Sequence, residues 1–185
     1  SHMSCSNPNA HLQRIVGAAI SASDGDKEES SLDQLHESRL ELDSHANMVV
    51  FRKHCKVLSK SGHNAEVNAF SPSIEAMHKV PIGDAAVAYD CPYSMNTYIM
   101  IGRNALLVDS MDTHLVPPFI MREAGVEVSE VPKIHTKVAS VHDHSIYFKS
   151  INLRIPLALW GIFSYFPCRR PTDQELEECD KVLFT

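Results

Sequence analysis

The stretch "LELDSHANMVV" (residues 40–50) places one carboxylate and one hydroxyl between two apolar segments. Residues 39–42 alternate polar and apolar side chains, which is typical of a half-buried strand. The run "MVVF" (48–51) predicts a short strand that is buried on both faces. Asp43 and Ser44 therefore lie on a sharp turn between two predicted strands, where a polar turn and a catalytic loop are both possible interpretations.

The composition is that of an ordinary globular chain. It has 185 residues, of which 44% are hydrophobic and 22% charged, enough to bury the core of one domain. The net charge of -6 and the lack of a basic run argue against a nucleic-acid partner. No segment approaches the roughly 20 apolar residues of a membrane span, so no membrane partner is expected.

The cysteines are odd in number and irregular in spacing, with no C-x-x-C pair. This pattern favours thiols in a reducing compartment over a disulfide framework, and hence the cytoplasm. The five are Cys5, Cys55, Cys91, Cys168 and Cys179.

The chain divides by composition into three parts. Residues 1–38 are interpreted as a tag-removal scar followed by a flexible leader, since "SASDGDKEESS" (21–31) is small, polar and acidic. Residues 39–131 form the predicted core, and residues 132–185 form a β-rich extension. We expect a mainly β fold, a compact barrel or sandwich of short strands.

After the Asp-Ser turn, the predicted core continues with a hairpin and then with two further strands. The segments "EVNAF" (66–70) and "GDAAVAY" (83–89) predict a long hairpin with an irregular tip. Two further strands, "TYIMI" (97–101) and "ALLV" (105–108), are predicted with a turn at residues 102–104 between them.

One helix is predicted within the core, in "DTHLVPPFIMREAGV" (112–126). Asp112 or Thr113 would cap it, the two prolines would occupy its first turn, and Gly125 would end it. The extension then continues with the strand candidates "VEVSEV" (126–131), "HSIYF" (144–148), "LRIPLAL" (153–159) and "GIFSYF" (161–166).

The extension carries two positional signals. Pro156 restricts its strand to a sheet edge or a bulge, because proline cannot donate to a ladder. A closing helix is predicted in "TDQELEECDKV" (172–182), where Thr172 and Glu175 have the spacing of a capping box.

The order of these elements resembles a retropepsin monomer, and the chain from residue 39 to 185 is similar to the protease segment of copia-type LTR retrotransposon polyproteins. The quoted stretch carries this resemblance together with three others. They are "VPIGDAAVAYD" (80–90), "EAGVEVSEVPK" (123–133) and "LRIPLALWGIFSYFPCRRPT" (153–172).

The resemblance implies a retropepsin-like closed β barrel or sandwich with one short helix, plus a β-rich extension that ends in a helix. It implies that Asp43 is the catalytic residue and that Ser44 locks the loop, while Ala46 lets two loops approach. The remaining implied site residues are His45 and Asn47 in the loop and Phe70, Ser71, Pro72 and Ser73 in the flap.

The resemblance also implies a homodimeric aspartic endopeptidase, because the chain is too short for two catalytic lobes. Two carboxylates that share one proton can activate water and polarise a peptide carbonyl. Each chain would supply one Asp43, no metal or other cofactor would be needed, and the substrates would be peptide segments of its own polyprotein. The implied location is the cytoplasm, within virus-like particles.

Three residues favour an alternative, a catalytically inactive retropepsin-fold module for dimerisation or peptide binding. His45 replaces the usual glycine, Asn47 replaces a substrate-binding acidic residue, and Met48 replaces a small polar residue. The segment "IMIGRNALLV" (99–108) also resembles a late retropepsin stretch, but the copia-type alignment places the pre-helix segment at "MDTHLV" (111–116).

Other chemistries have weaker signals. Asp109-Ser110 and Asp112-Thr113 could be a second catalytic loop, although a helix cap is preferred for Asp112. A metal-binding β domain would need ligands such as residues 142–144, "HDH", which lack a zinc-site spacing. A cysteine nucleophile at Cys55 beside His54 is disfavoured because neighbours on a strand face opposite sides.

The tail motif "WGIFSYFPCRR" (160–170) collects aromatic residues beside two arginines. An edge hairpin with Arg169 and Arg170 in solvent is one interpretation. The other is a docking surface for the dimer or for a neighbouring polyprotein segment. Retropepsins usually pair through interleaved terminal strands, so this extension is a candidate for that task.

Overall fold

A computed structural model describes residues 38–67, 77–131, 140 and 142–185, and within them the chain is mainly β, as predicted. The leader before residue 38 and the flap residues 70–73 lie outside the described residues. The strands are β1 (Ser38–Leu42), β2 (Val50–Phe51), β3 (Lys56–Val67), β4 (Met77–Asp90), β5 (Thr97–Leu107), β6 (His114–Val116), β7 (Glu127–Ser129), β8 (Ser145–Phe148), β9 (Leu153–Pro156), β10 (Ala158–Trp160), β11 (Phe163–Cys168) and β12 (Asp180–Leu183).

Two short α-helices accompany the strands, α1 (Pro118–Glu123) and α2 (Asp173–Glu178). A 3-10 turn, Lys149–Ile151, connects β8 to β9. Within the described ranges no helix has the length and apolar character that a bilayer crossing requires.

Most strands belong to one mixed sheet. Its order is β10-β11-β1-β6-β2-β5-β4-β3, with β12 also paired to β5. A second sheet has the order β7-β8-β9. Across the described strands the path does not return to its starting edge, so the expected closed barrel is not formed there and the main sheet is open.

The predicted long hairpin is confirmed as β3 and β4, which pair antiparallel from Lys56↔Ala86 to Val67↔Met77. The ladder contains three register shifts, which bend and twist the arm. β3 begins ten residues earlier than the predicted strand at residue 66. The sequence did not signal this part because most of β3 is exposed, and an exposed arm needs no apolar alternation.

The turn predicted at residues 102–104 is wrong, because β5 continues without a break from Thr97 to Leu107. The register between β4 and β5 shifts between Gly83 and Ala85, opposite this segment. Asn104 has a positive φ of 51°, and its amide donates to Asp84 Oδ1 at 3.0 Å. Asn104 therefore serves a β-bulge, which uses the same backbone conformation as a turn, whereas Gly102 leaves room for the rings of Phe51 and Phe184.

The predicted helix is confirmed in its second half only. Residues His114–Val116 form strand β6 rather than the first helical turn, so neither Asp112 nor Thr113 is the cap. Pro117 is the N-cap residue, and Pro118 occupies the first turn as predicted. Gly125, with φ at 86°, follows the C-cap and ends the helix as expected.

The C-terminal region differs from its prediction in two places. The segment 153–159 divides between β9 and β10, which belong to different sheets. Pro156 ends β9, the edge strand of the small sheet, as predicted. The capping box of Thr172 and Glu175 is also confirmed, but the helix stops at Glu178. The chain then forms β12, parallel to β5, so the extension ends in a strand and not in a helix.

Both sides of residue 131 contribute to one core. Leu40 and Phe51 lie in the same buried cluster as Phe166, Val182 and Phe184. The rings of Phe51 and Phe184 are 6.2 Å apart. The segment that was predicted as an extension therefore shares the main sheet and the main core with the segment that precedes it.

Arg169 connects the C-terminal helix to the long hairpin. Its guanidinium donates to both carboxylate oxygens of Asp90, at 2.7 and 2.9 Å, and to both of Glu175, at 2.8 and 2.5 Å. Its backbone exchanges two hydrogen bonds with Ala88. These bonds hold the pKa values of the Asp90 and Glu175 carboxyls below their ordinary range.

We predict that Arg169→Met lowers the free energy of unfolding by about 2 kcal/mol at pH 7, because it removes charge-assisted hydrogen bonds to two carboxylates. The native pKa values of Asp90 and Glu175 are lowered, so this contribution exists near neutral pH and is lost as the pH falls through them. Urea unfolding at pH 7 and pH 3 measures the difference, with exposed Arg170→Met as the matched control. Equal losses in the two variants would contradict the network.

We predict that Phe184→Ala destabilises the fold by about 3 kcal/mol, because its ring is buried in the core shared by both halves of the chain. Leu183→Ala is the control, since Leu183 is 48% exposed on the same strand. Chemical denaturation of both variants tests the assignment. A chain that loses no stability on truncation of Phe184 would show that β12 does not belong to the main core.

Candidate active site

Asp43 directly follows β1 and is held by three backbone contacts. Its amide donates to the Val116 carbonyl at 3.0 Å, and its carbonyl accepts from the Ala46 amide at 3.2 Å. The His45 amide donates to Asp43 Oδ1 at 3.0 Å. Asp43 is only 3% exposed, so a buried carboxyl group is fixed in one orientation by the turn that follows it.

The position of β6 explains why the turn is so tight. β6 pairs parallel with β1, through Leu40↔His114 and Leu42↔Val116, and antiparallel with β2, through Val50↔Leu115. It therefore lies between the two strands that flank the Asp-Ser loop. The loop must cross the end of β6, and the bond from Asp43 to Val116 is made at that crossing.

The predicted loop residues divide into exposed and buried positions. Ser44, His45 and Asn47 are exposed, whereas Ala46 is completely buried. The loop uses the backbone amide of His45 and not its imidazole, so the hydrogen bond to Asp43 does not require glycine at that position. The assigned roles of Ser44 in locking the loop and of Asn47 in binding substrate stay predictions.

The end of the long hairpin nearest its tip packs next to this loop. Val50 and Val80 belong to one buried apolar cluster, and Met48 and Val67 pack against it. Met48 stands where the resemblance expects a small polar residue, and its apolar side chain joins the loop to the hairpin. The predicted flap tip at Phe70, Ser71, Pro72 and Ser73 lies outside the described residues, so its assignment stays a prediction.

Two buried polar residues near the loop were not identified from the sequence. Glu41 was expected on the exposed face of a half-buried strand, yet it is 2% exposed and lies 3.7 Å from the Arg39 guanidinium. Leu40, Glu41 and Leu42 are all buried, so side chains on both faces of β1 are covered and period-2 alternation does not apply to it.

His114 is the second buried polar residue near the loop. Its Nδ1 accepts the Arg52 amide at 3.0 Å, and its ring lies edge-on to Phe51 at 5.6 Å. Burial lowers the pKa of His114 to about 3, so the imidazole is neutral. Its role is structural, since it fixes the start of β6 against the residue after β2.

The alternative catalytic loop within the chain is not brought to Asp43. Asp109 and Asp112 lie in the connection that precedes β6, whereas Asp43 contacts Val116 at the end of that strand. Counting along the parallel register places Asp112 level with Ser38, about 16 Å from Asp43. Neither carboxylate can share a proton with Asp43 in this arrangement.

The candidate metal ligands do not assemble. Within the described part of the chain, no group of three His, Cys, Asp or Glu side chains has the geometry to hold a metal ion. The strand predicted at residues 144–148 begins at Ser145, so His142 and His144 both precede it and do not share a strand face. His144 is buried, with Nε2 at 2.7 Å from Ser164 Oγ.

The cysteines behave as predicted where they are described. Cys55, Cys91, Cys168 and Cys179 form no disulfide. Burial raises the pKa of the Cys55 thiol to about 11, with Asp109 adding to the effect. A thiol that stays protonated at neutral pH is a poor nucleophile, which argues against the Cys55 alternative.

The aromatic tail motif forms an edge hairpin of β10 and β11, as one of its two interpretations expected. Arg170 is exposed, but Arg169 is held between Asp90 and Glu175 instead of lying in solvent. The Arg39 guanidinium stacks over Trp160, 4.4 Å from the ring centroid, and lies 5.6 Å from the Tyr165 ring.

Comparison with known proteins identifies no relative of this chain: no family model, no curated protein and no solved structure matches it.

We predict that Ala46→Leu destabilises the protein by about 2 kcal/mol, because the Ala46 side chain is fully buried under the loop and a larger one overpacks it. Asn47→Leu is the matched control, since Asn47 is the exposed neighbour in the same turn. Thermal and urea unfolding compare the two variants. A stable Ala46→Leu protein would mean that the loop does not close as tightly as described.

Proposed function

We propose that this chain is one half of an aspartic endopeptidase of the retropepsin type, and that it processes the polyprotein of a copia-type element. The observation that carries the proposal is the Asp43 turn. A buried carboxyl group stands at the end of a central strand, and the His45 amide fixes one of its oxygens. A solvated polar turn, the ordinary alternative, would leave its carboxylate exposed.

The chemistry requires a second carboxylate close to the first. One ionised Asp43 accepts a proton from water as that water attacks the peptide carbonyl, and the protonated Asp43 of a second chain donates to the carbonyl oxygen. Asp109 and Asp112 lie too far away to supply the second group. The proposal therefore needs two copies of the chain, with one Asp43 from each.

The long hairpin supports a substrate cleft beside Asp43. Its ladder extends to Val67↔Met77, and Val80, near that end of the ladder, belongs to the apolar cluster against which Met48 of the loop packs. A mostly exposed arm that is anchored beside a buried carboxyl group has the form of a flap that closes over an extended peptide.

One observation favours the inactive module as the second candidate. The His45 side chain is exposed in the chain described here, immediately after the Asp-Ser pair. In a dimer with adjacent loops, two imidazoles would occupy space that glycines usually leave open. A fold that dimerises or binds peptides without cleaving them is the expected result if that space is required.

We predict that Asp43→Asn abolishes cleavage of a longer precursor that carries the flanking polyprotein sequence, lowering the rate by at least about 1,000-fold across pH 4 to 7. Asparagine can still accept the His45 amide, so the variant should fold normally. Asp109→Asn is the matched control, because Asp109 also precedes serine but lies in an exposed turn away from the loop. A pepstatin-like statine should inhibit the wild type.

Product gels and unfolding curves separate the possible results. Cleavage by wild type and Asp109→Asn but not by Asp43→Asn supports the protease. An intact precursor with all three proteins, when each is folded and dimeric, contradicts it and favours the inactive module. Equal cleavage by all three would assign the activity to a contaminating protease.

A further inference from the structure

The hairpin of β10 and β11 ends in an exposed apolar tip. Trp160 is 59% exposed and Ile162 is 88% exposed, on either side of Gly161 with its φ of 61°. Leu159 on β10 is also 42% exposed. Contiguous apolar residues on an exposed tip mark an interaction surface, since isolated monomers seldom retain them.

The register of the main sheet places this tip at the same end as Asp43. β11 pairs antiparallel with β1 at Glu41↔Tyr165, so two further steps bring Asp43 level with Phe163. Phe163 in turn pairs with Trp160 across the hairpin. The tip is therefore two strands away from Asp43, about 10 Å across the sheet.

We propose that residues 160–162 form part of the interface with a second copy of this chain, beside the paired Asp43 loops. This inference rests on the proposed function, because the site is incomplete without the second Asp43. A partner that brings its own Asp43 into hydrogen-bonding range must approach the end of the sheet where β1 terminates. It meets the hairpin tip at that end.

The charge distribution is compatible with a second copy as the occupant. Residues 38–185 contain 17 Asp and Glu against 15 Lys and Arg, a net charge of only -2, so two copies of the fold repel each other weakly. Residues 155–168 contain no charged side chain. Two copies can therefore bring these hairpins together without burying a charged side chain of the hairpin itself, while the Arg39 guanidinium stays stacked on Trp160.

The Trp160 ring is held in position before any partner arrives. The Arg39 guanidinium stacks on it at 4.4 Å, and Tyr165 flanks the same cation. An aromatic side chain with restricted motion loses little conformational entropy on binding, as is common at the centre of interfaces.

The terminal strand that could otherwise join two copies is already used within the chain. β12 pairs parallel with β5 from Asp180↔Tyr98 to Leu183↔Ile101. Val182 and Phe184 are buried in the core of the same chain. Interleaving β12 with a partner would break those contacts, whereas the exposed hairpin tip can contact a partner without any change in the fold.

We predict that Ile162→Lys weakens dimerisation by roughly tenfold or more, because it places a charge at a buried contact. Sedimentation velocity on the full chain over a concentration series measures the dissociation constant. Met95→Lys is the matched control, since Met95 is 84% exposed in the β4–β5 connection and the charge change is identical. A photo-crosslinking amino acid at position 162 should capture a second copy.

The outcomes separate this inference from the proposed function. Selective loss of the dimer in Ile162→Lys, with Asp43→Asn and Met95→Lys dimerising like wild type, supports the hairpin interface. If Ile162→Lys dimerises like wild type, or if wild type stays monomeric while it cleaves its precursor, the hairpin interface is wrong. Asp43-dependent cleavage by a dimer that Ile162→Lys does not weaken would leave the proposed function standing, whereas cleavage by a monomer would contradict the proposed function as well.

Discussion

The hydrogen bond from the Asp43 amide to the Val116 carbonyl is the contact on which the rest of the site depends. It exists because β6 lies between β1 and β2, the two strands that are joined by the Asp-Ser loop. A loop that must cross the end of an inserted strand has few conformations available. It closes with the amides of His45 and Ala46 directed at Asp43, and the His45 amide donates to one oxygen of the buried carboxyl group.

β6 in turn is held by strands from distant parts of the chain. β1 has β6 on one side and β11 on the other, so a strand more than 120 residues away prevents β1 from being an edge. β12 lies beside β5 and buries Phe184 against Phe51, which immediately follows Val50 in β2. The C-terminal strands therefore complete the sheet that positions Asp43, and the geometry of the loop is a property of the whole chain.

The sequence predicted the local structure correctly where contacts from other parts of the chain did not oppose a local rule. The Asp-Ser turn, the long hairpin, the first-turn Pro118, the Gly125 terminus and the capping box of Thr172 were all identified from the sequence and are present. Each depends on backbone conformation or on spacing within a few residues. Such signals survive because tertiary packing seldom overrides them.

The wrong predictions at residues 102–104 and at His114 share one physical cause. In both places, pairing with neighbouring strands decided the secondary structure. The glycine and asparagine of residues 102–104 fit a turn and a bulge equally well, and only the register with β4 selects the bulge. His114 begins a strand because β1 and β2 lie on either side of it, although its sequence context favours a helix start. Glu41 is buried although it alternates with Leu40 and Leu42, so the pattern within β1 does not reveal that its second face is covered.

A glycine at position 45 would meet two separate requirements of the Asp43 loop, and His45 shows how they differ. The first is a backbone donor for the Asp43 carboxylate, and any residue except proline supplies it, so histidine meets this requirement within one chain. The second is space beside the carboxylate for a neighbouring loop, and this requirement arises only when two chains meet. The exposed imidazole shows that the single chain accommodates His45 without strain from burial. In the dimer that we propose, catalysis by Asp43 would therefore depend on how closely the hairpin tips and the two loops allow the carboxylates to approach.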